Sequence, residues 1–148
     1  MTVIFSKKCE YGLQAVLFLA ANEPGGVVSA EDIAKKLEIP KEFISKILQK
    51  LTDSGMVASK KGKSGGFYLA KKASLIRLMD IVEAIDGLAV FESCVMGFKN
   101  CSPNHPCPVH GKWGKLRAEA YEMLSSETLA ELKDKAIDKI NSLKSASV

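Results

Sequence analysis

Residues 29–70 read SAEDIAKKLEIPKEFISKILQKLTDSGMVASKKGKSGGFYLA, and the periodicity changes along them. Ser29-Ala30-Glu31-Asp32 is a capping-type opening, in which a serine oxygen and nearby acids satisfy the free N–H groups of a helix start. Ile33, Ala34 and Leu37 then share one face of a short helix. Ile39-Pro40 interrupts it, and Pro40, which lacks an N–H, suits the first turn of the next helix. Phe43, Ile44, Ile47, Leu48 and Leu51 recur at steps of three and four, so a second helix runs until Gly55 stops it. Past Gly55 the pattern becomes that of strands. Residues 56–59 and 67–69 flank a tip with three glycines in five residues, which can take positive φ.

Two helices joined by a tight break and followed by a glycine-tipped hairpin make the order of a winged helix-turn-helix. Such a fold lays its second helix in the major groove, about 12 Å wide in B-DNA. Ile44, Ile47, Leu48 and Leu51 form the buried face of that helix. The opposite face offers Lys41, Glu42, Ser45, Lys46 and Gln49. Ser45 and Gln49 lie one turn apart and suit base edges, whereas Lys41 and Lys46 suit phosphates. The hairpin carries Lys60, Lys61 and Lys63, and Lys71 and Lys72 follow: five lysines in thirteen residues with no acid between them. Lys61, Lys63 and Ser64 at the tip are the expected wing contacts, on a backbone free to approach a phosphate or a minor groove. The plain alternative is an exposed hairpin with solubilising lysines. Helix order, hairpin and charge together favour double-stranded DNA.

Charge is divided unevenly along the chain. Up to Lys72 there are 12 lysines against 7 acids, and beyond it 9 basic residues against 10 acidic ones. The basic excess of a chain with net charge +4 thus belongs to its N-terminal half, as expected for a polyanion partner. With 148 residues, 47% of them hydrophobic, the chain can bury a core. The longest apolar run, Tyr11 to Ala21, is too short to span a bilayer. With no apolar signal before Lys7, a cytoplasmic protein without membrane contact is expected. There is no Ser–His–Asp set, no phosphate-cradling loop and no paired carboxylate site, so an enzyme is not expected.

Outside the central stretch, Ser6 is placed to cap a first helix reaching about Ala21, ended by Asn22-Glu23-Pro24-Gly25-Gly26. Ser74 is expected to cap a helix bearing Leu75, Leu78, Val82 and Ile85, stopped at Gly87. Trp113, Leu116, Ala120 and Met123 alternate at three and four, the pattern of a helix–helix seam. Ser125-Ser126 breaks that helix, and Leu129, Leu132, Ala136, Ile140 and Leu143 mark a final one. The expected fold class is mainly α with a small β wing. A winged helix-turn-helix domain would occupy residues 1–90, a cysteine-rich loop 91–110, and the dimerisation and C-terminal helices 111–148.

The loop, FESCVMGFKNCSPNHPCPVH at residues 91–110, holds three of the four cysteines, both histidines and three of the five prolines. Six residues separate Cys94 from Cys101, five separate Cys101 from Cys107, and His110 follows by three. In a reducing compartment so tight a group marks a metal or redox site. Thiolates suit iron–sulfur clusters, zinc and copper(I). Three cysteines plus one nitrogen satisfy a zinc ion or a cluster with one unusual ligand, and spacing leaves both open. Cys9, among apolar neighbours, reads as a buried small hydrophobe. His105 reads as a loop residue, and Trp113 as a seam residue that shields the metal site.

The chain resembles the winged-helix iron–sulfur regulators that include IscR and NsrR. The likeness is carried by Glu10-Tyr11-Gly12-Leu13, by Ser45, Ile47, Leu48, Leu51 and Gly55-Met56-Val57, and by Lys61-Gly62 with Gly65-Gly66-Phe67-Tyr68-Leu69-Ala70. It continues through the cysteine loop and the long helix to Thr128-Leu129-Ala130-Glu131-Leu132. The resemblance implies a homodimer on an imperfect palindrome, with the long helix crossing between subunits. It also implies a [2Fe–2S] cluster on Cys94, Cys101, Cys107 and His110, favoured over a [4Fe–4S] cluster completed by Glu10 of the other subunit. Zinc is the alternative metal, and a metal-free, thiol-redox-responsive transcription regulator of the same fold is the other alternative. Lys61 stands where the family usually has arginine, which implies a less forked minor-groove contact.

Overall fold

Ser6 accepts the Cys9 N–H at 3.1 Å and opens α1, Lys7–Ala21. The computed structural model describes residues 4–22 and 26–146, so Glu23-Pro24-Gly25 of the expected breaker lies outside the described residues. Cys9, Gly12, Ala15, Val16, Phe18, Leu19 and Ala20 are buried on α1, which is therefore the central helix. A Cβ on Gly12 would stand 2.3 Å from Ile85 Cδ1, so the missing side chain lets α1 and the helix that ends at Ile85 pack closely. Asp86, just beyond that helix, accepts the Ser6 N–H at 2.8 Å and its hydroxyl as well.

Ser29 caps α2, Ala30–Leu37, by accepting the Asp32 N–H at 3.1 Å. Glu38 takes a left-handed conformation, φ 58°, and the Ile39 N–H returns to the Ala34 carbonyl. Pro40 then sits at the cap of α3, Lys41–Asp53, one position before the first turn. Ile44, Ile47, Leu48 and Leu51 are buried, each contributing roughly 1.5–3 kcal/mol of hydrophobic burial. Phe43, which periodicity groups with them, is 49% exposed and its ring rests 6.2 Å from that of Tyr11.

The wing is an antiparallel pair, β1 (Val57–Lys60) and β2 (Gly66–Leu69), with Val57 opposite Leu69 and Lys60 opposite Gly66. Val28 forms an isolated bridge to β2 by exchanging both backbone hydrogen bonds with Phe67, at 2.9 and 2.7 Å. A Cβ on Gly66 would lie 2.4 Å from the Val28 carbonyl oxygen, so this approach demands glycine. At the tip Gly62 adopts φ 109°.

The next helix starts later than its sequence implies. Ser74 lies in a 3₁₀ turn, Ala73–Leu75, and Leu75 is 67% exposed. α4 runs Leu78–Ile85, and its start is set by Asp80, which accepts the Arg77 N–H at 2.9 Å. The delay comes from a partner distant in sequence. Arg77 pairs with Thr128, and the Leu129 N–H donates to the Ile76 carbonyl at 2.9 Å, which holds residues 76 and 77 extended. A further 3₁₀ turn, Ala89–Phe91, leads to an irregular segment and then α5, His110–Ser126. Thr128 receives the Glu131 N–H at 3.3 Å at the start of α6, Leu129–Ala146. α6 lies along α1, the most extensive interface between elements, and buries Leu129 and Ile140. α5 instead leaves Leu116, Tyr121 and Met123 exposed. The architecture is mainly helical, with a two-stranded wing and two C-terminal helices.

Candidate functional site

Between the turn at residues 89–91 and α5, short turns replace regular structure. The Gly97 N–H donates to Cys94 O at 3.0 Å, the His105 N–H to Ser102 O at 3.1 Å, and the His110 N–H to Cys107 O at 3.1 Å. Asn100 is left-handed, φ 57°. Prolines at 103, 106 and 108 keep the segment from becoming helix. These turns bring the Sγ atoms of Cys94, Cys101 and Cys107 within 4.8 Å of one another. Cys94 and Cys107 are 3.5 Å apart, and His110 Nδ1 is 3.1 Å from Cys101 Sγ. All four side chains are half-buried.

One carbonyl ties this loop to α5. Ser93 O accepts Trp113 Nε1–H at 2.9 Å and Arg117 Nη1–H at 3.3 Å. A cavity of about 20 Å³ is lined by Glu92, Cys94, Cys101, Cys107, His110, Trp113 and Arg117. Another, about 360 Å³, opens beside Phe98, Lys99, Asn100, Cys101, His105, Pro106, Cys107 and Pro108. The sequence signals did not single out Arg117. Its position seven residues after His110, on the same helix face, is the signal that could have found it.

The thiols differ in acidity. Desolvation pushes Cys94 up, but hydrogen bonds from the backbone of Phe98 and Met96, and then from the thiols of Cys107 and Cys101, bring it down to about 7. Cys107 is raised by desolvation and by the neighbouring Cys94 and Cys101, against a backbone hydrogen bond from Val109. Cys9 is fully buried, and burial, then the charges of Asp86 and Glu10, push it to about 12. Iodoacetamide at pH 7 should therefore label Cys94 first in reduced, metal-free protein and spare Cys9 until denaturant is added. Peptide mass spectrometry reads the order, and early labelling of Cys9 would contradict it.

The other sequence-chosen residues lie outside the thiol group itself, although His105 lines the larger cavity beside Cys101 and Cys107. Glu10 is half-buried on α1 and pairs with Lys7 at 3.3 Å, apart from the thiol group. His105 is exposed. On α3, Lys41, Glu42, Lys46 and Gln49 are exposed and Ser45 half-buried, with Gln49 Nε2–H donating to Asp53 Oδ1 at 3.1 Å. Lys61, Lys63 and Ser64 are exposed on the wing. Among the described residues, none of these lysines enters an ion pair.

The profile of the Rrf2 family, described as "Iron-dependent Transcriptional regulator", matches residues 5–135. The chain belongs to the Rrf2 family. IscR of Yersinia pseudotuberculosis, an HTH-type transcriptional regulator, is 30% identical over 127 residues, 86% of this chain and 77% of that protein. Among solved structures, CymR of B. subtilis, named as its global cysteine regulator, superposes with a TM-score of 0.76 at 25% identity, covering 90% of this chain and 98% of that one. T. potens IscR follows with a TM-score of 0.72 at 27% identity, over 92% and 88% of the two chains. This Rrf2 protein is thus a DNA-binding transcription regulator with a three-cysteine cluster, and not an enzyme. No helix among its described residues is long and apolar enough to cross a membrane.

Proposed function

We propose that this Rrf2 regulator is a homodimer that binds an imperfect palindrome in double-stranded DNA and senses iron–sulfur, redox or nitric oxide status. In this reading a cluster is held by Cys94, Cys101 and Cys107, with His110 as fourth ligand. The observation that carries it is the gathered thiol group, in a family described as iron-dependent. The donor chemistry fits: thiolates with one imidazole are ligands that iron–sulfur centres accept, and Cys94 at about 7 deprotonates near neutrality. Bound there, a cluster would supply a centre able to change charge by one electron and to react with oxidants or nitric oxide. Three thiolates and His110 suit a [2Fe–2S] centre, whereas the partner subunit's Glu10 would be needed for a [4Fe–4S] one.

The chain's own residues provide the coupling. His110 is the first residue of α5, and Ser93 O pins Trp113 and Arg117 on the same helix. Ordering the loop therefore orders the start of α5. A groove of about 490 Å³ beside Val90, Phe91, Val95, Leu116 and Met123 is the face a second α5 would cover. Loop order would then set the spacing of two α3 helices and shift the dimer between DNA-competent and incompetent populations. The units are the winged domain at residues 1–90, the loop at 91–110, and the helices at 111–148.

Zinc is the second reading, and the compactness of the site favours it. Three Sγ atoms within 4.8 Å of one another can converge on a single ion, and His110, 3.1 Å from Cys101 Sγ but outside that mutual group, would have to turn in to complete a tetrahedron. Protein purified without oxygen should be brown and contain iron and sulfide, read by absorption and chemical assay. Colourless protein with stoichiometric zinc, even after anaerobic reconstitution with iron and sulfide, would defeat the cluster reading.

A further inference from the structure

Arg117 is half-buried on α5, two helical turns beyond His110. Its Nη1 is spent on Ser93 O at 3.3 Å. Its Nε is buried without a hydrogen-bond partner among the described residues, yet the side chain lines the cavity of Cys94, Cys101, Cys107 and His110. A guanidinium does not shed its proton, so the Nε–H must find an acceptor or remain a costly orphan. Glu92 lines the same cavity but forms no ion pair with Arg117. The other acceptors around this cavity include its sulfur atoms.

We propose that Arg117 is a positioning and tuning residue whose Nε–H is donated to sulfur of the metal-loaded site, thiolate or bound sulfide, and that its charge raises the reduction potential there. The inference rests on the cluster reading above. Three thiolates make the site electron-rich, and one-electron reduction adds one more negative charge. A fixed cation beside it favours the more negative, reduced form, and hydrogen bonds to the sulfurs act in the same direction. The carbonyl of Ser93, next to Cys94, holds the guanidinium in place for this task.

The test compares full-length protein with Arg117→Gln and Arg117→Lys variants, each reconstituted anaerobically with iron and sulfide. A dye-mediated titration, in which a reduced one-electron dye supplies the electron, gives the potential. Circular dichroism and gel filtration follow fold and oligomeric state. Arg117→Gln should lower the preference for the reduced form about tenfold, about 59 mV for a one-electron couple. Arg117→Lys, which keeps the charge but loses the fixed Nε–H, should fall between the two. A Lys variant equal to the unaltered protein, or as low as the Gln variant, overturns the proposal. So does an unmoved potential with a weakened dimer, which would assign Arg117 to a subunit interface. Should Arg117→Gln load no cluster, the Lys comparison decides: a lower potential supports the proposal and an equal one overturns it. Absence of any cluster in the unaltered protein overturns the cluster reading together with this inference, whereas a loaded site with an indifferent Arg117 overturns this inference alone.

Discussion

Replacing Cys101 with Ala should take the metal content from stoichiometric to background, while Cys9→Ala leaves it unchanged. Cys101 stands at the join of the site: its Sγ lies within 4.8 Å of both other thiols and 3.1 Å from His110 Nδ1. Loss of that sulfur removes one of three charged donors and leaves the imidazole without its nearest partner. Cys94→Ala and Cys107→Ala should behave alike, since each supplies a thiolate, which the imidazole of His105 does not reproduce and which the same chain's Glu10, paired with Lys7 on α1, is not grouped with. His110→Ala should weaken retention without abolishing it, because thiolates contribute most of the binding to iron or zinc. Cys9 is enclosed by the core of α1, with its thiol held protonated up to about 12, so it has neither access nor charge for a metal. Iron, sulfide and zinc per chain should be measured for each variant, so that the result holds for either metal. Emptying of the site by Cys9→Ala alone would show that the loop is not sufficient.

Local signals described the local parts of this fold well. The Ser6 and Ser29 caps, the buried face of α3 and the paired strands depend on neighbours within a few residues, and each forms where its residues require. The start of α4 does not. Ser74 is a sound cap by composition, but the pairing of residues 76 and 77 with Thr128 and Leu129, some fifty positions away, holds that stretch extended and moves the start to Leu78. Phe43 failed for a related reason: helical spacing places it at the margin of the apolar stripe, and whether a margin is covered depends on Tyr11 and the cavity beside Lys8, Lys46 and Lys50. In the cysteine loop, residue types marked the three thiols that the fold gathers, and the turns that bring the sulfurs together follow from proline spacing only in outline. Arg117 carried no motif. A buried N–H without a partner becomes visible only once α5 is docked against the loop.

Gln49→Ala should relax base preference by an amount equal to a lost base contact, about 1–3 kcal/mol, while Lys61→Ala should weaken binding to all sequences alike. The division follows from the position of each group. α3 buries Ile44, Ile47, Leu48 and Leu51, so its outward face carries Gln49 and, one turn earlier, Ser45, which in the proposed complex would face the groove floor. Gln49 donates one amide N–H to Asp53 at 3.1 Å, which restrains the side chain and leaves the amide oxygen to meet a base. Its truncation therefore removes a contact whose geometry was already restricted, and Ser45→Ala should act in the same sense with a smaller effect. Lys61 and Lys63 stand exposed on a wing whose tip bends at Gly62, and among the described residues neither is engaged in an ion pair. Flexible point charges of this kind neutralise phosphates, so each removal should lower the slope of log affinity against log salt by about one. Binding of each variant to a duplex selected from a random-sequence pool, and to its scrambled counterpart, should be measured across several salt concentrations. Circular dichroism beforehand establishes that each variant is folded, which matters for Gln49 because it also supports the last turn of α3. A change in base preference for Lys61→Ala, with none for Gln49→Ala, would reverse the two roles and require that the wing rather than α3 reads sequence.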